Sequence, residues 1–375
     1  MNLRKTAFLV ALMSSVSANT FWGAEAQSPI QHDGKGAMSY QVSGPFSFGN
    51  LSLFLIRGAD KLKDKQYITL PEAIAQKAVT VSETGDVNAL KINNLSNAVV
   101  FIQSGEIVKG GQQDRALQSD MLIPPHSKDV SLPCFCVEHG RWTGRVGESS
   151  YKFDSASNFV VGNGMQRAIK RDADQSKVWQ EVAMKQQQLS RSVGQPVASP
   201  VSPTSLQLTL EQKNVQEASQ AQYKALADVV NKEKDAIGYA VAINGKISNA
   251  DIYASGALFR KLWPGLLKSA VTEAVSQKGQ ASVKPPSGSE VKSVLAQAEK
   301  FKRDPSAPYR SSQLSLQGAT NGAIGPQGQD ATVVTGVNTA GTVRNASPSP
   351  SPLDYFFRTS DRKSGVVIHE NFLGK

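Results

Sequence analysis

Two short polar segments hold the groups best able to do chemistry: Gly110-Gly111-Gln112-Gln113-Asp114-Arg115 and Cys134-Phe135-Cys136-Val137-Glu138-His139-Gly140-Arg141-Trp142. Each follows an apolar run that reads as a strand, and each brings an arginine to the loop beyond. Polar groups gathered where strands give way to loops are usually there to meet something. In the first segment, the Gly110-Gly111 turn leaves backbone amides able to collect an anion, and Arg115 adds a bidentate clamp for carboxylate or phosphate. A plain hairpin turn, with Arg115 paired to Glu106 or Asp114, fits the same residues equally well. The second segment offers Cys136 as a nucleophile, Glu138 as a carboxylate acid or base and His139 as an imidazole. Strand alternation places Glu138 on the face of Cys136, so these two are the catalytic candidates. Glu106, Gln112, Arg115, Arg141 and Trp142 are the binding candidates. The bland alternative is a pair of buried thiols beside a Glu138–Arg141 or Glu138–Arg115 ion pair.

A metal would have to draw on Cys134, Cys136, His139 and His126. The two-residue gap usual between cysteine ligands is missing, so no metal is assigned. The chain has no phosphate-binding GxxxxGK(S/T), no GxSxG elbow, no HExxH and no dinucleotide GxGxxG after a strand. It therefore assigns neither a cofactor nor a reaction, and Gly162-Asn163-Gly164 reads only as a loop signal. Cys134 and Cys136 are the only cysteines. At positions i and i+2 of a strand, a bridge between them would be strained, so both are expected as free thiols with Cys136 buried.

The N-terminus reads as a cleaved secretory signal over residues 1–26. Arg4 and Lys5 give the charged start, Thr6 to Val16 the apolar run, and Ala24-Glu25-Ala26 the small-x-small cleavage pattern. Losing two positive groups and one negative takes the formal net charge from +10 to +9. No later segment has the ~18 uninterrupted apolar residues of a membrane helix. The expectation is an exported protein, periplasmic or secreted, with no transmembrane segment in the mature chain. Positive charge gathers after Arg260, mostly on expected helices, and reads as a solvated face in preference to an anionic-surface binder. No arginine-rich stretch interleaved with aromatics and no nucleic-acid motif occurs, so no nucleic-acid partner is expected. Nothing fixes the oligomeric state.

The elements that must hold the two segments are mostly strands. Residues 27–45 read as a flexible lead-in. From Phe46 to about Val161 short strands predominate: a near-alternating run through Phe46, Phe48, Leu51, Leu53 and Leu55, then Val79 to Val81, Leu90 to Ile92, Ala98 to Ile102 and Val130 to Val137. One short helix fits Leu70 to Lys77 with Pro71 in its first turn. Helical stripes follow through Val178, Val182 and Leu189, and through Val215, Ala218, Leu226 and Val229. Ile237 to Tyr253 reads as a hairpin about Asn244-Gly245. A helix over Ser255 to Ser276 is expected to kink or restart at Pro264. Residues 280–290 read as a linker, and Glu290 to Arg303 as a charged helix. Residues 311–352 have too few large apolar side chains to offset ordering and read as a disordered low-complexity insertion. Residues 353–375 recover alternation as a terminal hairpin completing the 46–310 domain. Without βαβ alternation, the fold class is α+β: a single domain with a largely antiparallel β core and packed helices from the second half.

Gly105-Glu106 with Gly110 to Arg115, followed by Cys136-Val137-Glu138-His139-Gly140-Arg141-Trp142, resembles the ADP-ribosylglycohydrolase and rhodanese-phosphatase-superfamily-associated domain family, a bacterial and archaeal family of unknown function. The resemblance continues through Arg167, Gln175 and Trp179, the Ile237 to Lys246 hairpin, Phe259 to Pro264, and Ser364 to Leu373 around His369. It spans about Phe46 to Lys375 apart from the insertion. It implies genomic company with ADP-ribose or phosphoprotein metabolism, largely cytoplasmic. The chain departs from the family in its export signal, in Cys134 and His139, and in its insertion. Three functions follow as expectations. The first is an exported domain binding an anionic small molecule or peptide group at Arg115, Glu138 and Arg141. The second is a hydrolase or transferase on a nucleotide-derived or modified-protein substrate, with Glu138 as acid/base. The third is a structural envelope interaction protein. The first requires Arg115, Glu138 and Arg141 to converge on one cleft with Trp142 at its wall.

Overall fold

A computed structural model describes residues 40–278, 283–301, 309–314, 353–361 and 365–374. The expected signal over 1–26 and most of the 27–45 lead-in lie outside these residues. The alternating run from Phe46 to Leu55 is a hairpin rather than one strand. Its arms are β1 (Gln41–Phe48) and β2 (Leu51–Arg57), and Gly49 takes a φ of +60° where the chain reverses. Strand structure thus begins inside the expected lead-in. The side chains of β1 are mostly exposed, so residues 41–45 carried no apolar pattern to read.

The strands that follow are β3 (Tyr67–Thr69), β4 (Val79–Glu83), β5 (Ala89–Asn94), β6 (Val99–Ile102), β7 (Glu106–Gly110), β8 (Arg115–Leu117), β9 (Met121–Ile123), β10 (Val130–Cys136) and β11 (Lys152–Val160). Helix α1 (Leu70–Ala75) enters after β3 through a capping box. The Glu72 amide donates to the Thr69 hydroxyl and the Thr69 amide donates to the Glu72 carboxylate, with Pro71 in the first turn. The second half holds α2 (Asn163–Arg167), which runs into a π-helical turn over Ala168–Asp172, then α3 (Gln175–Val193), α4 (Leu206–Leu210) and α5 (Lys213–Leu226). The hairpin β12 (Ala236–Ile243) and β13 (Lys246–Tyr253) turns at Asn244 and Gly245, both with positive φ, as a type I′ turn requires. After it come α6 (Gly256–Ser276), α7 (Gly288–Phe301), β14 (Tyr309–Leu314), β15 (Leu353–Asp361) and β16 (Val367–Gly374). No helix among the described residues is long and apolar enough to cross a membrane.

Three sheets form among the described residues. The order β1-β2-β12-β13-β16-β15-β14 makes a seven-stranded sheet, antiparallel except between β14 and β15. The order β10-β5-β4-β11-β7-β8 closes a six-stranded barrel, and β3-β6-β9 form a small third sheet. The α+β architecture with a largely antiparallel core and second-half helices is therefore the one observed. Helix α6 is the spine of the main core. Phe259 stacks on Tyr239 and Tyr253 of the sheet, and Trp263 meets Tyr239 edge to face. A buried Phe or Trp of this kind contributes a few kcal/mol. The helix is continuous through Pro264, contrary to the expected restart. Leu262, Trp263, Leu266 and Leu267 are all buried around it, and this packing outweighs one lost backbone bond.

Residues 311–314 belong to β14, so strand extends four residues into the expected insertion; residues 315–352 lie outside those described. The register pairs Leu314 with Asp361, whereas β15 starts at Leu353.

Candidate functional site

The two polar segments do meet, through Arg141. Its Nε and Nη2 donate to both oxygens of Glu138 at 2.7 and 2.6 Å, a bidentate pair. Nη1 also reaches the Gly111 carbonyl at 3.0 Å, so Arg141 ties the second segment to the first. Arg145, which no local sequence pattern marks, grips Asp114 in the same way at 2.6 and 2.9 Å and donates to Glu148 at 2.7 Å. Ser202 donates to Glu138, and Ser205 donates to Asp114 at 2.9 Å while its oxygen caps α4. Glu138 and Asp114 are wholly buried. Burial pushes the Glu138 carboxyl up, but the bonds from Arg141, Ser202 and the Asp114 amide overcome it and leave the group below its ordinary value.

Arg115 does not join them. It lies inside the barrel mouth with no exposed surface, donates to the Gln113 carbonyl at 2.6 Å and pairs with Glu83 at 3.8 Å. Trp142, 44% exposed, covers Arg115 with its ring centroid 5.7 Å from the guanidinium carbon instead of walling Glu138. Gln112 donates its amide to Glu83 at 2.7 Å, and its side-chain oxygen is buried without a partner. Cys134 and Cys136 are free and buried, both directed at the Val87 carbonyl. Burial raises both thiols, Cys134 to about 12, which is opposite to what a nucleophile needs. Gln175 brackets the Cys136 backbone, accepting from its amide and donating to its carbonyl at 2.8 Å each. His139 instead meets Trp179 edge to face at 4.4 Å.

Glu106 stands apart from this cluster, at the wall of a cavity of about 350 Å³ that Ser155 and Lys261 also line. Burial raises its carboxyl to about 8, despite the bond its oxygen accepts from the Gln103 amide at 3.1 Å. A folded-state value above the unfolded one means that its contribution is full below about pH 4.5 and is lost as pH rises toward 8. Glu106→Gln has no proton to lose. The variant is expected to match the wild type near pH 4.5 and to exceed it by roughly 3–5 kcal/mol at pH 8.5. Denaturant titrations across that range check this, and a pH-independent difference would contradict it.

A cleft of about 920 Å³ lies elsewhere, between the start of α2, α3, the β12–β13 turn, α6 and α7. Its volume falls in the range typical of small-molecule sites. Two glycines admit carboxylates to its wall: a Cβ on Gly162 would stand 2.2 Å from a Glu273 oxygen, and one on Gly164 2.3 Å from a Glu181 oxygen. Glu273 accepts from Lys185 at 2.9 Å and Gln277 at 2.8 Å, and these partners hold its carboxyl low although burial pushes it up. Glu181 has no hydrogen bond or close ion pair to another described residue, and burial raises it. Environments that push two acids of one cleft apart are the pattern expected of a functional site. The sequence signals for this cleft are the Gly162-Asn163-Gly164 segment and the i, i+4 spacing of Glu181 and Lys185 on α3. Among the described residues, no group of three or more His, Cys, Asp or Glu side chains could hold a metal ion.

The family anticipated from the motifs is the one that matches. A family model described as the ARG and Rhodanese-Phosphatase-superfamily-associated Protein domain covers residues 39–334, a span that includes both polar segments and the main cleft, while β15 and β16 lie beyond it. No curated protein and no solved structure matches the chain. On that coverage the chain belongs to the ARG and Rhodanese-Phosphatase-superfamily-associated Protein domain family.

Proposed function

We propose that this domain binds a small polar molecule in the cleft of about 920 Å³, and that the arginine cluster holds the surrounding loops in place. The observation that carries the reading is Glu181, a carboxylate with no partner among the described residues at the wall of this cleft. The arginine cluster lacks that opening. Glu83, Asp114, Glu138 and Glu148 already oppose Arg115, Arg141, Arg145 and Lys109, so no surplus positive charge awaits an anion. Thermal-shift screening of the full chain against sugars, nucleotides, ADP-ribose, peptides and amino acids tests the reading. At least one compound should raise the melting temperature, and Ser293→Trp, which fills the cleft from α7, should abolish the rise. Binding that survives Ser293→Trp but is lost in Trp142→Ala would move the site to the barrel mouth, where half-exposed Trp142 favours a second reading as a stacking surface. If no compound raises the melting temperature, the proposal fails.

We also read the protein as exported, on the strength of residues 1–26. In a bacterial host the mature chain should start at Gln27 and be released by osmotic shock. A cytoplasmic product that retains Met1 would overturn this.

A further inference from the structure

We propose that the ligand of the cleft is an amino-acid zwitterion, its ammonium seated on Glu181 and its carboxylate on Arg167. The inference rests on the cleft reading above and narrows it to one chemical class. Arg167 lines the same cleft from the end of α2. It spends Nη1 on the Gly374 carbonyl at 2.7 Å, which leaves Nε and Nη2 with no partner among the described residues. Glu181 is near enough to feel the Arg167 charge, yet the two form no ion pair within 4 Å.

Long, flexible acid and base side chains in one cleft would ordinarily close on each other. Here each is held back: Arg167 by the end of β16, and Glu181 by its seat against Gly164. Of the other charges lining the cleft, Lys185 and Glu273 pair at 2.9 Å, Glu290 accepts from the Ser287 amide and hydroxyl at 2.6 and 2.7 Å, and Lys246 is exposed to solvent at the start of β13. What remains is one acceptor-only group facing one donor-only group across a gap. A molecule with an ammonium and a carboxylate on one carbon satisfies both and, with a neutral side chain, brings no net charge into the cleft. A simple cation or anion would satisfy one group and leave the other bare, and a polyol would pair neither charge. Met184, Leu206 and Leu210 also line the cleft and give an apolar side chain somewhere to lie.

Isothermal titration of the full chain with each of the twenty free amino acids tests the class. The probes for each charge are the N-acetyl and carboxamide derivatives of whichever amino acid binds. At least one amino acid should bind, and each derivative should bind at least tenfold more weakly. Glu181→Gln and Arg167→Gln should each cost tenfold or more in affinity. Their melting temperatures should stay near wild type, because neither forms part of the core. Arg167→Lys, which keeps the charge, separates any loss of the Gly374 contact from loss of carboxylate recognition. If another compound binds in the cleft and no amino acid does, the zwitterion is wrong and the cleft reading stands. If an amino acid binds and its affinity ignores both substitutions, the zwitterion is wrong, and Ser293→Trp decides whether the cleft reading stands. If nothing binds, both fail.

Discussion

Replacing Glu138 with glutamine is expected to destabilise the fold by about 3–5 kcal/mol, rather than merely to remove an activity. The carboxylate accepts two bonds from Arg141, one from Arg145 at 3.4 Å, one from Ser202 and one from the Asp114 amide at 3.1 Å. Glutamine turns one acceptor oxygen into a donor facing two guanidinium groups and leaves buried positive charge uncompensated. Domains of this size are stable by only about 5–15 kcal/mol, so the loss is a large fraction of the whole. Because the folded-state value of Glu138 lies below its ordinary one, its contribution is present above pH 4.5 and is lost as pH falls through the folded value. Urea midpoints at pH 7 for Glu138→Gln, with Trp142→Ala as the exposed control, measure the effect. The control should shift by no more than about 1 kcal/mol. A wild-type midpoint in Glu138→Gln, with ligand binding lost, would instead make Glu138 a site residue.

Much of the architecture was legible because it follows local pattern. The β12–β13 hairpin, α3, α5 and α6 each carry their own period or turn chemistry. The convergence of the two polar segments was legible only in part. The Glu138–Arg141 pair is three residues apart and local, so sequence could suggest it. Arg145 and Asp114 are distant in sequence, and nothing local distinguishes Arg145 from any surface arginine. Arg115 points into the barrel because β8 pairs with β10, setting Arg115 opposite Cys136; that register comes from barrel closure and not from neighbouring residues. The cleft was hidden for the same reason. It is assembled from α2, α3, α6, α7 and a hairpin turn, and no single stretch of sequence contains it.

His369 is expected to make stability fall with rising pH where most domains change little. Its Nδ1 lies 2.7 Å from Asp120 and its Nε2 3.0 Å from Asp251, and Tyr253 stacks on the ring at 4.4 Å. Burial alone would push the imidazole down, but the two carboxylates overcome it and raise the group to about 9. A folded-state value above the ordinary 6.5 means that the stabilisation is full below about pH 6.5 and is lost as pH climbs through 9. The gap is worth roughly 3 kcal/mol. The same ion pair pulls Asp120 below its ordinary range against its burial, so its contribution is lost only in strong acid. His369→Gln keeps the shape but leaves Asp120 and Asp251 buried with less compensating charge. It should cost about 3–5 kcal/mol at pH 6, with a deficit that shrinks as pH approaches 9.5. The residue sits on β16, between β13 and β15, where Ile368, Phe372 and Leu373 are fully buried. Stopping the chain at residue 352 would remove those contacts, open the β13 edge and strand both aspartates, so that variant should not fold. Urea titrations from pH 6 to 9.5 decide the matter. If His369→Gln shows the same pH slope as the wild type, the imidazole is not the charged centre that fastens the last two strands to the sheet.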